Sequence, residues 1–119
     1  MAPEKVVWSA AAAKSLARAL GNDLLEIEGQ VKTGICELWQ YTDGGYCVTR
    51  VEVSKTGTEL VIVASGVESG AEKLAGWVNL AKNNGWSVRI HSQRPGMKQF
   101  LNKAGFVTAE TVYRWQYGR

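Results

Sequence analysis

Five consecutive apolar residues, Leu60-Val61-Ile62-Val63-Ala64, constrain this chain more than any other segment. Successive side chains of a strand point to opposite faces, so an unbroken apolar run must be covered on both. A sheet with helices on both of its faces follows. Ser65-Gly66-Val67-Glu68-Ser69-Gly70 then reads as a loop. Ala71, Leu74, Ala75, Val78 and Ala81 recur at helical spacing as far as Asn83-Asn84-Gly85. Val88 and Ile90 alternate with Arg89 and His91, which predicts a further strand. A strand–loop–helix–strand unit of this kind joins parallel neighbours through a right-handed crossover.

The rest of the chain supplies the other elements. Ser9 can cap a helix from Ala10 to Leu20 that stops at Gly21-Asn22, with Ala13, Leu16, Ala17 and Leu20 on its apolar face. Leu25, Ile27 and Val31 alternate with Glu26, Glu28 and Gln30, which predicts a strand over 25–31 with Gly29 as a bulge. Strands over 35–42 and 46–53 flank Asp43-Gly44-Gly45, a hairpin signal. With Gly44 and Gly45 central, Trp39 faces Arg50, and Glu37 faces Glu52. A turn at Lys55-Thr56-Gly57-Thr58 leads into the apolar run. Near the end, Met97, Phe100, Leu101 and Ala104 mark a short helix opened by Arg94-Pro95-Gly96 and closed by Gly105. A final strand over 107–117 carries Tyr113, Trp115 and Tyr117 on one face. The expected fold class is α/β (α+β): a mixed, mostly antiparallel sheet, helices on both faces, in the order α-ββββ-α-β-α-β.

At 119 residues the chain is expected to form one domain, 1–119, and its 45% hydrophobic content excludes general disorder. No apolar run approaches the ~20 residues of a membrane helix, and Met1-Ala2-Pro3-Glu4-Lys5 lacks a signal-peptide layout, so a cytoplasmic setting is expected. Cys36 and Cys47 form no CxxC, and with one histidine they make no zinc site. The hairpin register places both thiols on one face, six residues apart along the pairing, so they should be free. A net charge of +3 is a weak signal for a polyanion. Arg50, Arg89, Arg114 and Arg119 could make a basic face, but nothing in the pattern makes them converge, and no nucleic-acid partner is expected.

The segment 58–114 resembles the GNAT-type acyl-CoA N-acyltransferases. Residues 59–65 resemble the family's fourth strand, 65–71 its pyrophosphate loop, 71–84 the following helix and 88–91 the fifth strand. The segment 98–106, KQFLNKAGF, resembles the family's stretch ending in Gly-Phe. The resemblance implies acetyl-CoA as cofactor, with its pantetheine arm paired in the gap between those two strands. It implies a cofactor site at Ala64, Ser65, Gly66, Ser69, Gly70 and Ala71; Arg94, a cation at a helix start where the dipole disfavours it, is the candidate assisting side chain on its own chemistry. The physical chemistry agrees: a loop of consecutive amides and a helix N-terminus suit a diphosphate, and Gly66 and Gly70 permit close approach.

Several positions depart from the family's pattern. Val67 stands where the loop has Arg or Gln, Glu72 where it has Gly or Ala, Leu101 where the tyrosine acid falls, and Arg94 where an asparagine falls. His91, the single histidine, and Glu59, which opens the fourth strand, are the candidate bases. Their plain alternatives are a strand-end histidine bonded to backbone and a solvated glutamate. Two functions are therefore carried forward. One is an acyl-CoA-binding domain that transfers an acetyl group to a small amine or a protein amine. The other is a catalytically inactive GNAT-fold module, structural or protein-binding, as in some short phage proteins. Such a module would meet a phage or host protein or a second copy of itself, and would be virion-associated if phage-encoded.

Overall fold

The structure, a computed structural model, describes residues 3–66 and 70–90. In chain order the elements are β1 (Glu4–Val6), α1 (Ala10–Leu20), a 3-10 turn (Gly21–Asp23), α2 (Leu24–Thr33), β2 (Glu37–Gln40), β3 (Tyr46–Ser54), β4 (Gly57–Gly66), α3 (Gly70–Asn84) and β5 (Ser87–Ile90). The strands lie side by side in that order, antiparallel throughout except for β4 and β5, which run parallel across the α3 crossover. The short helix, the final strand and the Leu101 stripe expected from the sequence lie outside the described residues.

Local chemistry explains the helix ends. The Ser9 hydroxyl accepts the Ala12 amide at 3.2 Å and starts α1. Gly34 ends α2 at φ 86°, a left-handed conformation that costs glycine little.

The first correction concerns 25–31, which is helix α2 and not a strand. Leu24, Ile27 and Val31 sit at i, i+3 and i+7, and all three pack on the core below the helix. The alternation through Leu25 is accidental, for Leu25 is 80% exposed. Two i,i+4 contacts, Lys32 to Glu28 and Gln30 to Glu26, support the exposed face. The strand that precedes β2 in the sheet is instead β1, three residues ahead of α1, too short to show a period.

The second correction is the hairpin register. Trp39 pairs with Cys47 and Glu37 with Thr49. The loop has three residues, 42–44, because Tyr41 and Gly45 bond at 2.8 Å and the Asp43 carboxylate accepts the Gly45 amide at 3.2 Å. Gly44, at φ 95°, takes the positive-φ position that closes such a loop. Glu52 pairs with Glu59, not Glu37, while Glu37 bonds Lys5 of β1 at 3.2 Å.

The two faces carry separate cores. On one, Ala12, Leu16 and Leu20 of α1 and Ile27 of α2 cover Leu38, Val48 and Ala64. On the other, Leu74, Trp77 and Ala81 of α3 cover Cys47, Leu60 and Ile62. The apolar run of β4 is thus covered on both faces, as its composition demands. Val48 pairs with Ala64 but Thr49 pairs with Ile62, so Val63 is an extra residue, a bulge.

The thiols are free, as expected, and both are buried, but on opposite faces rather than one, Cys36 among the α1–α2 contacts and Cys47 under α3. Burial pushes Cys47 up to about 12 and also raises Cys36, although Arg50 opposes the latter. Neither should react with an aromatic disulfide reagent in the native chain at neutral pH. Two should titrate in denaturant without reductant; one or none would contradict the arrangement.

Candidate functional site

In an open sheet with parallel strands, ligands favour the rim beyond the strands' carboxyl ends. Here that rim is the end of β4, where Ala64, Ser65 and Gly66 pair with Val48, Cys47 and Tyr46 of β3. The pairing with β5 runs from Glu59↔Ser87 to Ile62↔Ile90. Residues 64–66 therefore pair only with β3 among the described residues. The bulge decides where their side chains go. Before Val63, Leu60 and Ile62 face α3; after it, Ala64 faces α1 and Ser65 shares the α3 face with Cys47.

Gly70 opens α3, so the amides at its start lie from four positions beyond Gly66 onward. The structure thus brings Ala64, Ser65 and Gly66 to one rim and Gly70 and Ala71 to the next element. Ser69, His91 and Arg94 lie outside the described residues; His91 directly follows the last residue of β5.

Glu59 is placed elsewhere. It lies at the opposite end of β4, roughly 15 Å along the strand from Ala64. Its carboxylate is 3.3 Å from the Arg89 guanidinium, which also bonds Glu52 at 2.9 Å. Arg50 contacts Glu52 at 2.8 Å. Partial burial raises the Glu52 carboxyl, but the two guanidiniums outweigh this and hold it below its usual range. Glu59 therefore belongs to an ion-pair stripe across β3, β4 and β5, and not to the rim.

Sequence reasoning missed a polar group behind the rim. The Trp77 indole donates to the Tyr41 hydroxyl at 2.5 Å, in the core under α3. Burial, then the neighbouring Cys47 thiol, raises the Tyr41 phenol above its ordinary range. Trp39 donates to the Thr49 hydroxyl at 2.8 Å and meets Trp77 edge-on, ring centroids 5.4 Å apart. The Lys73 ammonium lies 4.9 Å from the Tyr41 ring centroid and 2.5 Å from the Asp43 carboxylate. The bond from Lys73, then the Gly45 amide, lowers the Asp43 carboxyl. The signal available was the turn: a three-residue loop places Tyr41 and Asp43 beside α3, a two-residue one does not.

No protein-family model matches the sequence, and no curated protein does. Solved structures do match in shape. A probable acetyltransferase aligns over 98% of this chain and 97% of its own, with TM-score 0.68 and 10% identity. A ribosomal-protein-alanine N-acetyltransferase from Brucella melitensis biovar Abortus 2308 aligns over 98% and 100%, with TM-score 0.67 and 12% identity. A protein from Thermus thermophilus aligns over 95% of both chains, with TM-score 0.57 and 17% identity. The fold is GNAT-like, as the mixed sheet, the α3 crossover and these likenesses show together. No helix among the described residues is long and apolar enough to cross a membrane.

Proposed function

We propose that this chain binds an acyl-CoA at the rim formed by 64–66 and the start of α3, and transfers the acyl group to an amine. The observation that carries the reading is the β4 terminus. Its bulge, its carboxyl-end position and the start of a helix four positions after Gly66 support a site of backbone donors and a positive dipole end in a GNAT-like frame. The relatives named acetyltransferases support the substrate class.

In this reading the amides at 66–71 bind the diphosphate, and Arg94 assists. A neutral amine attacks the thioester carbonyl, forming the C–N bond. Amides near Ser65 and Gly66 stabilise the oxyanion. The C–S bond breaks, and the amine's proton passes to a base. His91, next in sequence after β5, suits that role better than Glu59, which is tied to Arg89 at the far end of the strand. The thiolate leaves without the usual tyrosine, since Leu101 occupies that place.

The same departures, with Glu59 engaged elsewhere, favour a second reading: an inactive GNAT-fold module that binds a protein partner. Calorimetry with acetyl-CoA separates the two. Saturable heat that weakens in Gly70→Val and in Arg94→Ala is expected. No heat at millimolar acetyl-CoA removes the acyltransferase reading. Parent-like binding by both variants removes the loop assignment.

A further inference from the structure

We infer that the turn at 41–45 is a strut that positions both ends of the candidate phosphate loop, with the Asp43–Lys73 ion pair as its adjustable bond. The inference rests on the acyl-CoA reading above. The loop runs between Gly66 of β4 and Gly70 of α3. Its first end is held through the pairing of Gly66 with Tyr46, the residue that follows the turn. Its second end is the first turn of α3, where Lys73 bonds Asp43 and lies over the Tyr41 ring. Four residues further along the same helix face, Trp77 donates to the Tyr41 hydroxyl. One short turn thus holds β4 on one side and α3 on the other.

The charges explain why Asp43 is needed. A cation in a helix's first turn opposes the helix dipole, so Lys73 is held there by its partners and not by α3. The Asp43 carboxylate is itself braced by the Gly45 amide. The lysine side chain is 15% exposed and the aspartate 55%, so the pair is partly wet and adds little to global stability. Its effect lies in where α3 begins relative to β4. Acid should release it: the lowered Asp43 carboxyl keeps its charge, and the bond, above its usual range, and both are lost as pH falls through the lowered value.

The test compares the full chain with Asp43→Asn, Lys73→Met and Lys73→Arg by hydrogen exchange without ligand and by acetyl-CoA calorimetry. Asp43→Asn and Lys73→Met should speed exchange of the amides at 70–74 and weaken acetyl-CoA, each by about two- to fivefold. Lys73→Arg should restore both. Tighter acetyl-CoA binding by Asp43→Asn would overturn the strut, because it would make Lys73 a direct ligand from which Asp43 competes. Unchanged exchange in Asp43→Asn overturns it as well, whether or not the parent binds. A parent that gives no heat removes the acyl-CoA reading instead. The exchange data then decide the strut alone: faster in Asp43→Asn upholds it, and parent-like overturns it.

Discussion

Ile27→Asp should cost several kcal/mol, while Leu25→Asp should stay within about 0.5 kcal/mol of the parent. The two leucine-sized side chains are two residues apart, and a strand would put them on one face. In α2 they diverge: Ile27 is 7% exposed against the α1 core, and Leu25 is 80% exposed. A carboxylate at 27 would enter that core unpaired, a large loss against a total stability of about 5–15 kcal/mol. At 25 it would sit in the helix's first turn, where negative charge is favoured. Urea unfolding followed by circular dichroism reads both. Equal loss in the two variants would return 25–31 to the strand that alternation predicts.

Trp77→Ala should destabilise the chain by about 3–5 kcal/mol. Trp77 is buried under α3, meets Trp39 edge-on and donates to Tyr41. The truncation opens a cavity, removes the ring contact and leaves the Tyr41 hydroxyl without its indole donor. Trp77→Phe keeps most of the volume and should cost about 1–3 kcal/mol, chiefly for the unmade hydrogen bond. Chemical denaturation at matched slopes distinguishes the two. If Trp77→Ala unfolds at the parent's midpoint, the second core is not where α3 packs.

The parts legible in the sequence are those where one physical demand acts alone. The run 60–64 has only one explanation, coverage on two faces, and it yields the crossover, α3 and the parallel strand β5. Ser9 and Gly21 bracket α1 because caps have few other uses there. The misread parts are those where two demands compete. Leu24 through Val31 satisfy a period of two almost as well as a period of 3.6, and only packing against Leu16 and Leu38 decides between them. Asp43-Gly44-Gly45 offers two glycines for a two-residue turn, yet the Asp43 side chain captures the Gly45 amide and lengthens the loop to three. That single hydrogen bond shifts every partner on β2 and β3. It also explains why Tyr41, Asp43 and Lys73 did not emerge from sequence as neighbours of the rim, although Ser65 and Gly66 did. Glu59 was legible as a residue near the start of a strand, which the structure begins at Gly57, but its ion pair with Arg89 depends on the parallel register of β5.

The extra residue at Val63 divides β4 into two reading frames. Upstream, even-numbered positions face α3; downstream, odd-numbered ones do. Deleting Val63 would therefore remove the bulge yet keep Ala64 on the α1 face and Ser65 on the α3 face. A regular strand of unchanged length would instead turn the Ser65 hydroxyl toward α1 and bring the Ala64 methyl beneath α3. The span from the β3–β4 turn to the rim is fixed by which side chain must arrive at its end. Change in length can enter instead at Lys55-Thr56, where added residues extend the hairpin away from the rim and leave both frames as they are.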